Sequence, residues 1–343
     1  MRTFSLPSVL EINNGPIVGV TRSKIDGLKI LHNEENYIVG NLALSEGGSP
    51  HKIINCSPAD YDYDVLFKAA LSIIHNEVGD RPLAITTGFP FSTYEMNKDT
   101  ALEYVKSINE ITINTETYGG KGYEKHSPNI KEVYIMPELL ASTLAVRQNE
   151  SHVKLGGIFI VSLGYGTLEI GMSTNSGFTK RTFNSGPGLR YAVKNAMEMM
   201  ESKYYLGMRN EHQFDKSFLN GFTTIRRNRI DISEIRSESL SEYYRDIISP
   251  TIRNTWTDID FEKSNTLVLV GGGALYQDLI ERFQDEFDGI LSIVVPKDAL
   301  NMASIGYAQN SLLNVQKSHI NEDIISVGID IGNANTVITF ADN

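Results

Sequence analysis

Two strand-turn-strand segments of the same design, residues 157–171 and 324–343, constrain the fold of this chain most. Each begins with apolar, β-branched residues that are typical of a buried strand, and each returns through a second strand. A short polar residue, a glycine two positions later and a threonine that leads the returning strand occur in the same order: Ser162, Gly164 and Thr167 in the first segment, and Asp330, Gly332 and Thr336 in the second. A motif that occurs twice predicts a duplicated domain.

The second segment has the features of a phosphate site. Its first strand ends at Asp330, and a tight turn follows at Gly332, Asn333, Ala334 and Asn335. Gly332 lets the backbone approach a ligand, N–H groups of the turn can point at phosphate oxygens, and Asp330 can hold magnesium directly or through water. An exposed hairpin without any ligand has the same pattern, so the segment alone leaves both interpretations open.

Composition and charge disfavour several other classes of protein. The formal net charge is −11, which opposes direct binding of nucleic acid. A short basic cluster, Arg226, Arg227 and Arg229, precedes an acidic run over 231–242, and we interpret it as a solvated face with local ion pairs. No apolar run approaches the roughly 20 residues of a membrane span, and the N-terminus lacks a signal-peptide pattern. We therefore expect a cytoplasmic protein.

Glu138 is a candidate functional carboxylate because of its place in the chain. It follows a predicted strand over 131–136 and opens an apolar helix directly after Pro137. A helix dipole favours a negative charge in the first turn, so a capping role explains this glutamate equally simply.

Two glycine-rich loops are candidate ligand contacts. Gly271, Gly272, Gly273 and Ala274 lie between a buried strand at 267–270 and a helix, where successive glycines let the backbone lie flat against a base or ribose. Gly186 and Gly188 precede another helix, whose N–H groups can bind oxygen atoms. Helix starts of this composition are also common without a ligand.

Together these segments resemble the actin-like ATPase superfamily, in particular the plasmid-segregating actins of the ParM type. SLGYGTLEI at 162–170 is similar to the second phosphate loop of the family, and GIDIGNANT at 328–336 is similar to the first. LVLVGGGALY at 267–276 resembles the adenosine motif, while IMPE at 135–138 and NMASIGYA at 301–308 resemble the two interdomain connectors. Each motif is loose alone, but this number of motifs in consistent relation is fairly specific.

The order of these motifs differs from the usual order in the family. The first phosphate loop of the relatives lies at the N-terminus, whereas its counterpart here lies at 328–336. Joining Asn343 to Met1 would restore the usual order, so the chain resembles a circularly permuted actin-like protein. Permutation is tolerated where the original termini are close together and the new ones lie at a surface turn.

The resemblance implies an α/β, actin-like fold of two RNase H-like domains, each with a mixed five-stranded sheet flanked by helices. We expect domain I over 1–150, with a small β-rich subdomain at about 13–60. Domain II is expected over 151–313, with a helical subdomain at about 204–256. The polar segment 314–323 reads as a linker, and 324–343 as the first two strands of domain I.

The resemblance also implies a role for each candidate residue. Asp330 would hold magnesium, Glu138 would orient the attacking water, and Ser162 would begin the second phosphate loop. The phosphates would lie between two turns, Gly332, Asn333, Ala334, Asn335 and Thr336 on one side, and Gly164, Tyr165, Gly166 and Thr167 on the other. Adenosine would lie along Gly271, Gly272, Gly273, Ala274 and Tyr276, with Gly186 and Gly188 near the ribose.

Ser162 departs from the family pattern, in which an aspartate usually begins the second phosphate loop. A hydroxyl supplies no charge, so we expect weaker magnesium binding and slow hydrolysis.

In its size, its short insertions and the lack of an evident substrate-binding domain, the chain resembles the filament-forming members of the family. We expect Mg²⁺ with ATP as the ligand, with GTP left open, self-association into filaments, and DNA cargo reached only through an adaptor protein. The alternative is a non-polymerising, nucleotide-dependent scaffold, for which Ser162 argues.

Overall fold

The computed structural model describes residues 1–52, 57–150, 156–204, 211–318 and 323–342, apart from the side chains of 212 and 213, and it divides into two compact units. Unit 1 comprises Met1–Ala145 and Ala303–Asn343, and unit 2 comprises Val146–Met302. The predicted borders, at 150 and 313, lie several residues farther along the chain. Unit 1 is thus built from both ends of the sequence.

The first part of unit 1 contains the strands β1 (Arg2–Pro7), β2 (Val9–Ile12), β3 (Lys29–His32), β4 (Glu35–Val39), β5 (His51–Lys52), β6 (Leu83–Phe89), β7 (Ile111–Asn114), β8 (Tyr123–His126) and β9 (Ile130–Pro137). Its helices are α1 (Asn41–Glu46), α2 (Tyr61–Val78) and α3 (Phe91–Ser107), and α4 (Glu138–Asn149) leads into unit 2.

Unit 2 contains the strands β10 (Ile158–Leu163), β11 (Thr167–Thr174), β12 (Gly177–Phe178), β13 (Asn184–Pro187), β14 (Phe222–Ile225), β15 (Asn228–Asp231), β16 (Thr266–Val270) and β17 (Ser292–Val294). Its helices are α5 (Arg190–Tyr204), α6 (Glu211–Asn220), α7 (Ser233–Tyr243), α8 (Ser249–Arg253), α9 (Asp258–Phe261) and α10 (Gln277–Glu286). The chain then returns to unit 1 through α11 (Met302–Lys317), β18 (Ile325–Ile331) and β19 (Asn335–Phe340).

The last two strands lie in the middle of the main sheet of unit 1. The strand order is β1-β19-β18-β6-β9, in which β19 is antiparallel to both of its neighbours and β18 and β9 are parallel to β6. Val327, Ile329 and Ile338 face a hydrophobic core to which α2 contributes Phe67 and Ile74. The apolar residues of β18 alternate with Ser326, Gly328 and Asp330, so one face of the strand is apolar, and every residue of the strand except Asp330 is buried.

Helix α11 covers the other face of β18 at very close range. A Cβ added to Gly328 would lie 2.1 Å from the carbonyl oxygen of Ser304 and 2.5 Å from the nitrogen of Ala308. The hydroxyls of Ser304 and Thr339 lie 2.9 Å apart, so these two buried groups pair with each other. These contacts explain why α11 belongs to unit 1, and α11 also continues to Lys317, inside the segment predicted as a linker. Residues 319–322 of that segment lie outside the described part.

Within unit 1, α11 also crosses the first turns of α4, and the two helix backbones are in direct contact there. A Cβ added to Gly306 would lie 1.8 Å from the carbonyl oxygen of Ala141. Ala141, Ala303 and Tyr307 are buried together at this crossing. The two segments predicted as connectors therefore meet at a glycine and an alanine, where nothing larger fits.

A second sheet of unit 1 has the order β5-β2-β4-β3-β7-β8, with all neighbours antiparallel. It contains the region predicted as a small β-rich subdomain at about 13–60. Three of its strands lie outside that predicted range: β2 at 9–12, and β7 and β8 within 111–126.

The main sheet of unit 2 repeats the pattern of the main sheet of unit 1. Its order is β12-β11-β10-β16-β17, with β13 also paired to β11. The hairpin β10–β11 is antiparallel, and β10, β16 and β17 run parallel, as β18, β6 and β9 do. The expected duplication and the actin-like arrangement of mixed sheets flanked by helices are both present.

The region predicted as a helical subdomain at about 204–256 also contains strands. β14 and β15 form a separate two-stranded antiparallel sheet between α6 and α7. The prediction of a helical subdomain did not include these two strands, because the turn that joins them, Arg226 and Arg227, has no glycine or asparagine. Within the described residues, no helix is long and apolar enough to cross a membrane.

The crossing of α4 and α11 gives a test with an unambiguous sign. Helix propensity alone predicts that Gly306→Ala stabilises the protein by about 1 kcal/mol. The clash with a backbone carbonyl, which no rotamer can relieve, predicts a net loss of about 2 kcal/mol or more in the free energy of unfolding. Urea denaturation measures the difference.

Gly48→Ala is the matched control for this experiment. A Cβ at exposed Gly48 would meet only the Glu11 carboxylate, at 3.7 Å, so the free energy of unfolding should change by less than about 0.5 kcal/mol. A Gly306→Ala protein more stable than the wild type would show that the crossing is looser than described.

Candidate functional site

Asp330 and Glu138, the two predicted carboxylates of unit 1, lie at the same edge of its main sheet. β6, β9 and β18 are parallel, so their carboxyl ends meet at one edge. Asp330 is the second-last residue of β18, and Glu138 begins α4 directly after β9. Burial, and then the negative charge of Glu138, raise the pKa of Asp330 well above the usual value near 3.8. The fold thus brings two acidic side chains close together.

The turn after Asp330 is tight and partly open to solvent. The Gly332 N–H donates to the carbonyl of Asn335 at 3.0 Å, and a Cβ on Gly332 would lie 2.9 Å from that oxygen. The Ser8 N–H donates to the carbonyl of Ala334 at 2.9 Å, and the Ser8 and Thr336 hydroxyls lie 3.0 Å apart. Thr336 is fully buried, whereas residues 332–335 remain partly exposed. The turn is held from behind by the start of the chain.

These residues fit a magnesium ion that is bound together with phosphate groups. Magnesium usually takes only one or two protein carboxylates and completes its octahedral shell with water and substrate phosphates. In the described part of the chain, no group of three or more histidine, cysteine, aspartate or glutamate side chains could hold a metal ion alone. Asp330, with Glu138 close by, would therefore hold the ion only together with a ligand's oxygens.

Unit 2 positions the second predicted loop by the same means. Ser162 is the second-last residue of β10 and is 3% exposed. The carbonyls of Gly164, Tyr165 and Gly166 accept hydrogen bonds from the N–H groups of residues 189, 190 and 188, at 2.9, 2.9 and 3.1 Å. The turn from Gly164 to Thr167 is therefore fixed to the start of α5.

Gly188 is required for this contact, whatever ligand is bound. A Cβ there would lie 2.5 Å from the nitrogen of Thr167 and 2.5 Å from the carbonyl oxygen of Tyr165. Gly186 is paired with Leu168 in the sheet and has only ordinary contacts around it, the nearest at 3.5 Å. Close packing thus explains Gly188 and leaves Gly186 unexplained.

The side chain of Tyr165 points into unit 2. Its hydroxyl donates to Glu211 at 2.6 Å and to Asp215 at 3.0 Å, and Glu211 also accepts two hydrogen bonds from Arg190 at 2.6 and 2.9 Å. Burial raises the pKa of Tyr165 far above its usual range. The tyrosine is engaged by its own unit, so only its backbone is available to a ligand.

The glycine loop after β16 is partly explained by packing on β10. Gly271 has a φ of +84°, and a Cβ on it would lie 2.8 Å from the Leu163 carbonyl oxygen. A Cβ on Gly273 would lie 2.5 Å from Cβ of Leu163, whereas Gly272 has only Leu300 near it, at 3.8 Å. Of the three glycines, Gly272 is the open one.

The neighbours of this loop differ in their exposure. Ala274 and Tyr276 are buried, and the Tyr276 ring packs against Phe218 with centroids 5.6 Å apart. Leu275 and Leu300 are 53% and 39% exposed. The exposed apolar surface of this loop therefore comes from the leucines and Gly272, while Tyr276 is a core residue.

Glu169 is a buried carboxylate of this region that the sequence analysis did not select. It stands directly opposite Ser162 in the β10–β11 ladder and opposite Ser185 of β13, and it is 1% exposed. Directly opposed residues share a face of the sheet, so the carboxylate lies beside Ser162. Counting strand positions outward from the glycine turn could have found it. Val337 occupies the corresponding place opposite Asp330 in unit 1.

The predicted residues therefore form two groups. Unit 1 holds Asp330, Glu138 and the turn from Gly332 to Thr336, and unit 2 holds Ser162, the turn from Gly164 to Thr167, Gly186, Gly188 and the loop from Gly271 to Tyr276.

Comparison with known proteins agrees with this architecture. Residues 1–139 match the family model described as the N-terminal domain of actin-like proteins. No curated protein sequence matches the chain.

Solved structures match most of the chain. A 15-stranded ParM filament from Clostridium botulinum matches with a TM-score of 0.73 at 16% identity, covering 90% of this chain and 92% of the other. The archaeal actin homologue Ta0583 in complex with ADP matches with a TM-score of 0.68 at 16% identity and the same coverage. Bacillus thuringiensis ParM with ATP matches with a TM-score of 0.59 at 16% identity, covering 91% of this chain and 92% of the other. The chain has the actin-like fold, as its motifs predict.

The raised pKa of Asp330 has a consequence for stability. Above about pH 3.8 the unfolded chain loses a proton that the folded protein retains, so stability falls as the pH rises toward the folded-state pKa. Asp330→Asn replaces the carboxyl group with a neutral amide and so removes this titration. The melting temperature of the ligand-free variant should exceed that of the wild type at pH 7.5, and the difference should shrink near pH 4.

Asp288→Asn, at an exposed carboxylate of unit 2, is the control and should leave the melting temperature nearly constant at both pH values. A lower melting temperature for Asp330→Asn at pH 7.5 would contradict a destabilising carboxylate.

Proposed function

We propose that this chain binds a nucleoside triphosphate with magnesium and assembles into filaments whose growth and loss follow nucleotide binding and hydrolysis. The observation that carries the proposal is the pair Asp330 and Glu138, held close together beside the open turn at Gly332 on an actin-like fold. Two crowded carboxylates are destabilising alone, and a bound cation with phosphates relieves that cost.

In this proposal, Asp330 holds the magnesium ion and the turn from Gly332 to Asn335 binds phosphate oxygens through its N–H groups. Glu138 orients the attacking water, which is the kind of positioning on which phosphoryl transfer depends. The metal supplies charge neutralisation at the phosphates. The parallel strands β6, β9 and β18 keep both carboxylates at one sheet edge, so the geometry is set by rigid elements.

Unit 2 carries the other residues that we propose for nucleotide binding. The backbone of the turn from Gly164 to Thr167 is proposed to bind phosphate oxygens. Gly272, with Leu300 near it, and the exposed Leu275 provide a bare backbone and apolar surface for the base. Backbone and leucine contacts do not select a purine, so the proposal covers ATP and GTP. Ser162 supplies no charge, and hydrolysis is therefore slow.

Assembly is proposed from the fold. One similar structure is a ParM filament, and others are actin homologues with ADP or ATP, but identities of 16% carry only the fold to this chain. Plasmid or other DNA cargo would be reached through an adaptor protein, because the net charge of −11 opposes direct contact with DNA.

The second candidate is a nucleotide-dependent scaffold that does not polymerise. The neutral Ser162 favours it, because a site with weak hydrolysis suits a protein that holds one state for a long time.

The proposal includes the permuted order of the chain. The antiparallel pairing of β18 with β19 and of β19 with β1 supports it, since these three strands would follow one another in sequence after Asn343 is joined to Met1. The backbone nitrogen of Met1 also forms an ion pair with the Asp342 carboxylate, so residues 1 and 342 lie close together.

Nucleotide-dependent assembly is the direct test. Pelleting, light scattering and phosphate release are measured with ATP, ADP and no nucleotide. Glu138→Gln should still bind ATP but lose hydrolysis by about 100-fold, and its assemblies should persist longer. A wild-type chain that binds ATP yet stays monomeric at high concentration would contradict the filament proposal and favour the scaffold.

Glu234→Gln is the matched control, because Glu234 also lies in the first turn of a helix, α7, away from the proposed site. It should leave hydrolysis unchanged. If Glu138→Gln and the wild type hydrolyse ATP at the same rate, Glu138 does not orient the attacking water and only caps the start of α4.

The permuted order is tested by rearranging the chain. A protein that begins at Asp323, joins Asn343 to Met1 through a short Gly/Ser linker and ends at Ser318 should fold and bind ATP as the parent does. Removing 324–343 should unfold unit 1, because it deletes two inner strands. A truncated chain that stays folded and binds ATP normally would overturn this part of the proposal.

A further inference from the structure

The strands β14 and β15 form an isolated hairpin in unit 2, here called the basic hairpin (222–231). Ile225 pairs with Asn228, so the connecting turn has only two residues, Arg226 and Arg227. Both have positive φ, +49° and +68°.

Arginine is an unfavourable residue at both positions of this turn. Two-residue hairpin turns with positive φ strongly favour Asn-Gly or Asp-Gly, and bulky side chains are outliers there. The turn between β3 and β4 has the same backbone, with φ of +48° at Asn33 and +67° at Glu34, but begins with the expected asparagine. The arginines of the basic hairpin are therefore poorly explained by its own folding, and strained residues of this kind concentrate at functional positions.

The basic hairpin also presents its charge outward. Arg226, Arg227 and Arg229 are exposed, and Arg229 lies over the Phe222 ring at 3.5 Å from the centroid. Within the described residues, neither Arg226 nor Arg227 has a carboxylate at ion-pair distance. The local ion pairs predicted for this cluster are thus not seen at the turn. Asp231, the nearest acidic residue in sequence, instead accepts hydrogen bonds from Ser233.

We propose that the basic hairpin docks on an acidic surface of a second copy of this chain. Aspartates and glutamates number 42 against 31 lysines and arginines, so another copy offers a predominantly acidic partner. The same charge opposes nucleic acid as the partner. The inference rests on the proposed self-assembly. A contact between the hairpin and a different surface of the next copy is heterologous, and such contacts propagate into filaments when they do not close.

The double variant Arg226→Asn with Arg227→Gly separates charge from structure. It installs the sequence that the turn favours while removing both charges, so the melting temperature should stay constant or rise. The critical concentration for nucleotide-dependent assembly should rise about tenfold or more. Wild-type assembly should weaken between 50 and roughly 300 mM salt, and the assembly of the variant should depend less on salt.

Two controls isolate the charge. Arg226→Lys with Arg227→Lys keeps both positive charges and should retain most of the assembly. Glu34→Gly relaxes the comparable turn in unit 1 without removing a basic residue and should leave assembly unchanged.

The outcomes separate this inference from the proposed function. If the wild type and the double variant Arg226→Asn with Arg227→Gly assemble equally well with ATP, the docking role of the basic hairpin is overturned and the filament proposal stands. Wild type that never assembles overturns the filament proposal, and the hairpin inference with it. Binding of a mixed-sequence DNA duplex that is lost in the double variant, with assembly unchanged, would assign the hairpin to nucleic acid instead.

Discussion

The insertion of β18 and β19 between β1 and β6 is the interaction on which the rest of unit 1 depends. These strands supply ladder hydrogen bonds on both sides and apolar side chains to the core under α2. Gly328 lets α11 approach the sheet, and α11 in turn meets α4 at Gly306. Strand β18 also places Asp330 at the sheet edge where Glu138 begins α4. Fold and candidate chemistry therefore rest on residues at the end of the sequence, and their long-range pairing carries a high entropic cost of loop closure.

The two units use one design with different charges. In unit 1 a carboxylate ends the inner strand and Val337 stands opposite it. In unit 2 the inner strand ends in neutral Ser162, and Glu169 stands opposite it on the neighbouring strand. Unit 2 thus keeps a buried carboxylate beside its glycine turn even though Ser162 departs from the usual aspartate. A single negative charge per loop is easier to bury than two that repel each other.

Much of this architecture could be predicted from the sequence because glycine turns and buried strands have strong local signals. Asp330 and Glu138 stand where strands end, and that position decided their proximity. The close packing of Gly271 and Gly273 on Leu163 could not be predicted, since it depends on which strand is adjacent. Tyr165 and Tyr276 belong to the interior of unit 2, which only tertiary contacts reveal. The turn at Arg226 and Arg227 could not be predicted, because its positive φ angles usually require asparagine or glycine and the sequence has two arginines there.

The central claim is that Asp330 holds a divalent cation only together with nucleotide phosphates. Electron paramagnetic resonance with Mn²⁺ in place of Mg²⁺ measures this directly, since free and bound Mn²⁺ give different signals. The account predicts about one tightly bound Mn²⁺ per chain in the presence of a non-hydrolysable ATP analogue, little bound Mn²⁺ without it, and loss of the bound signal in Asp330→Ala. Equal Mn²⁺ binding by wild type and Asp330→Ala in the presence of the analogue would contradict it.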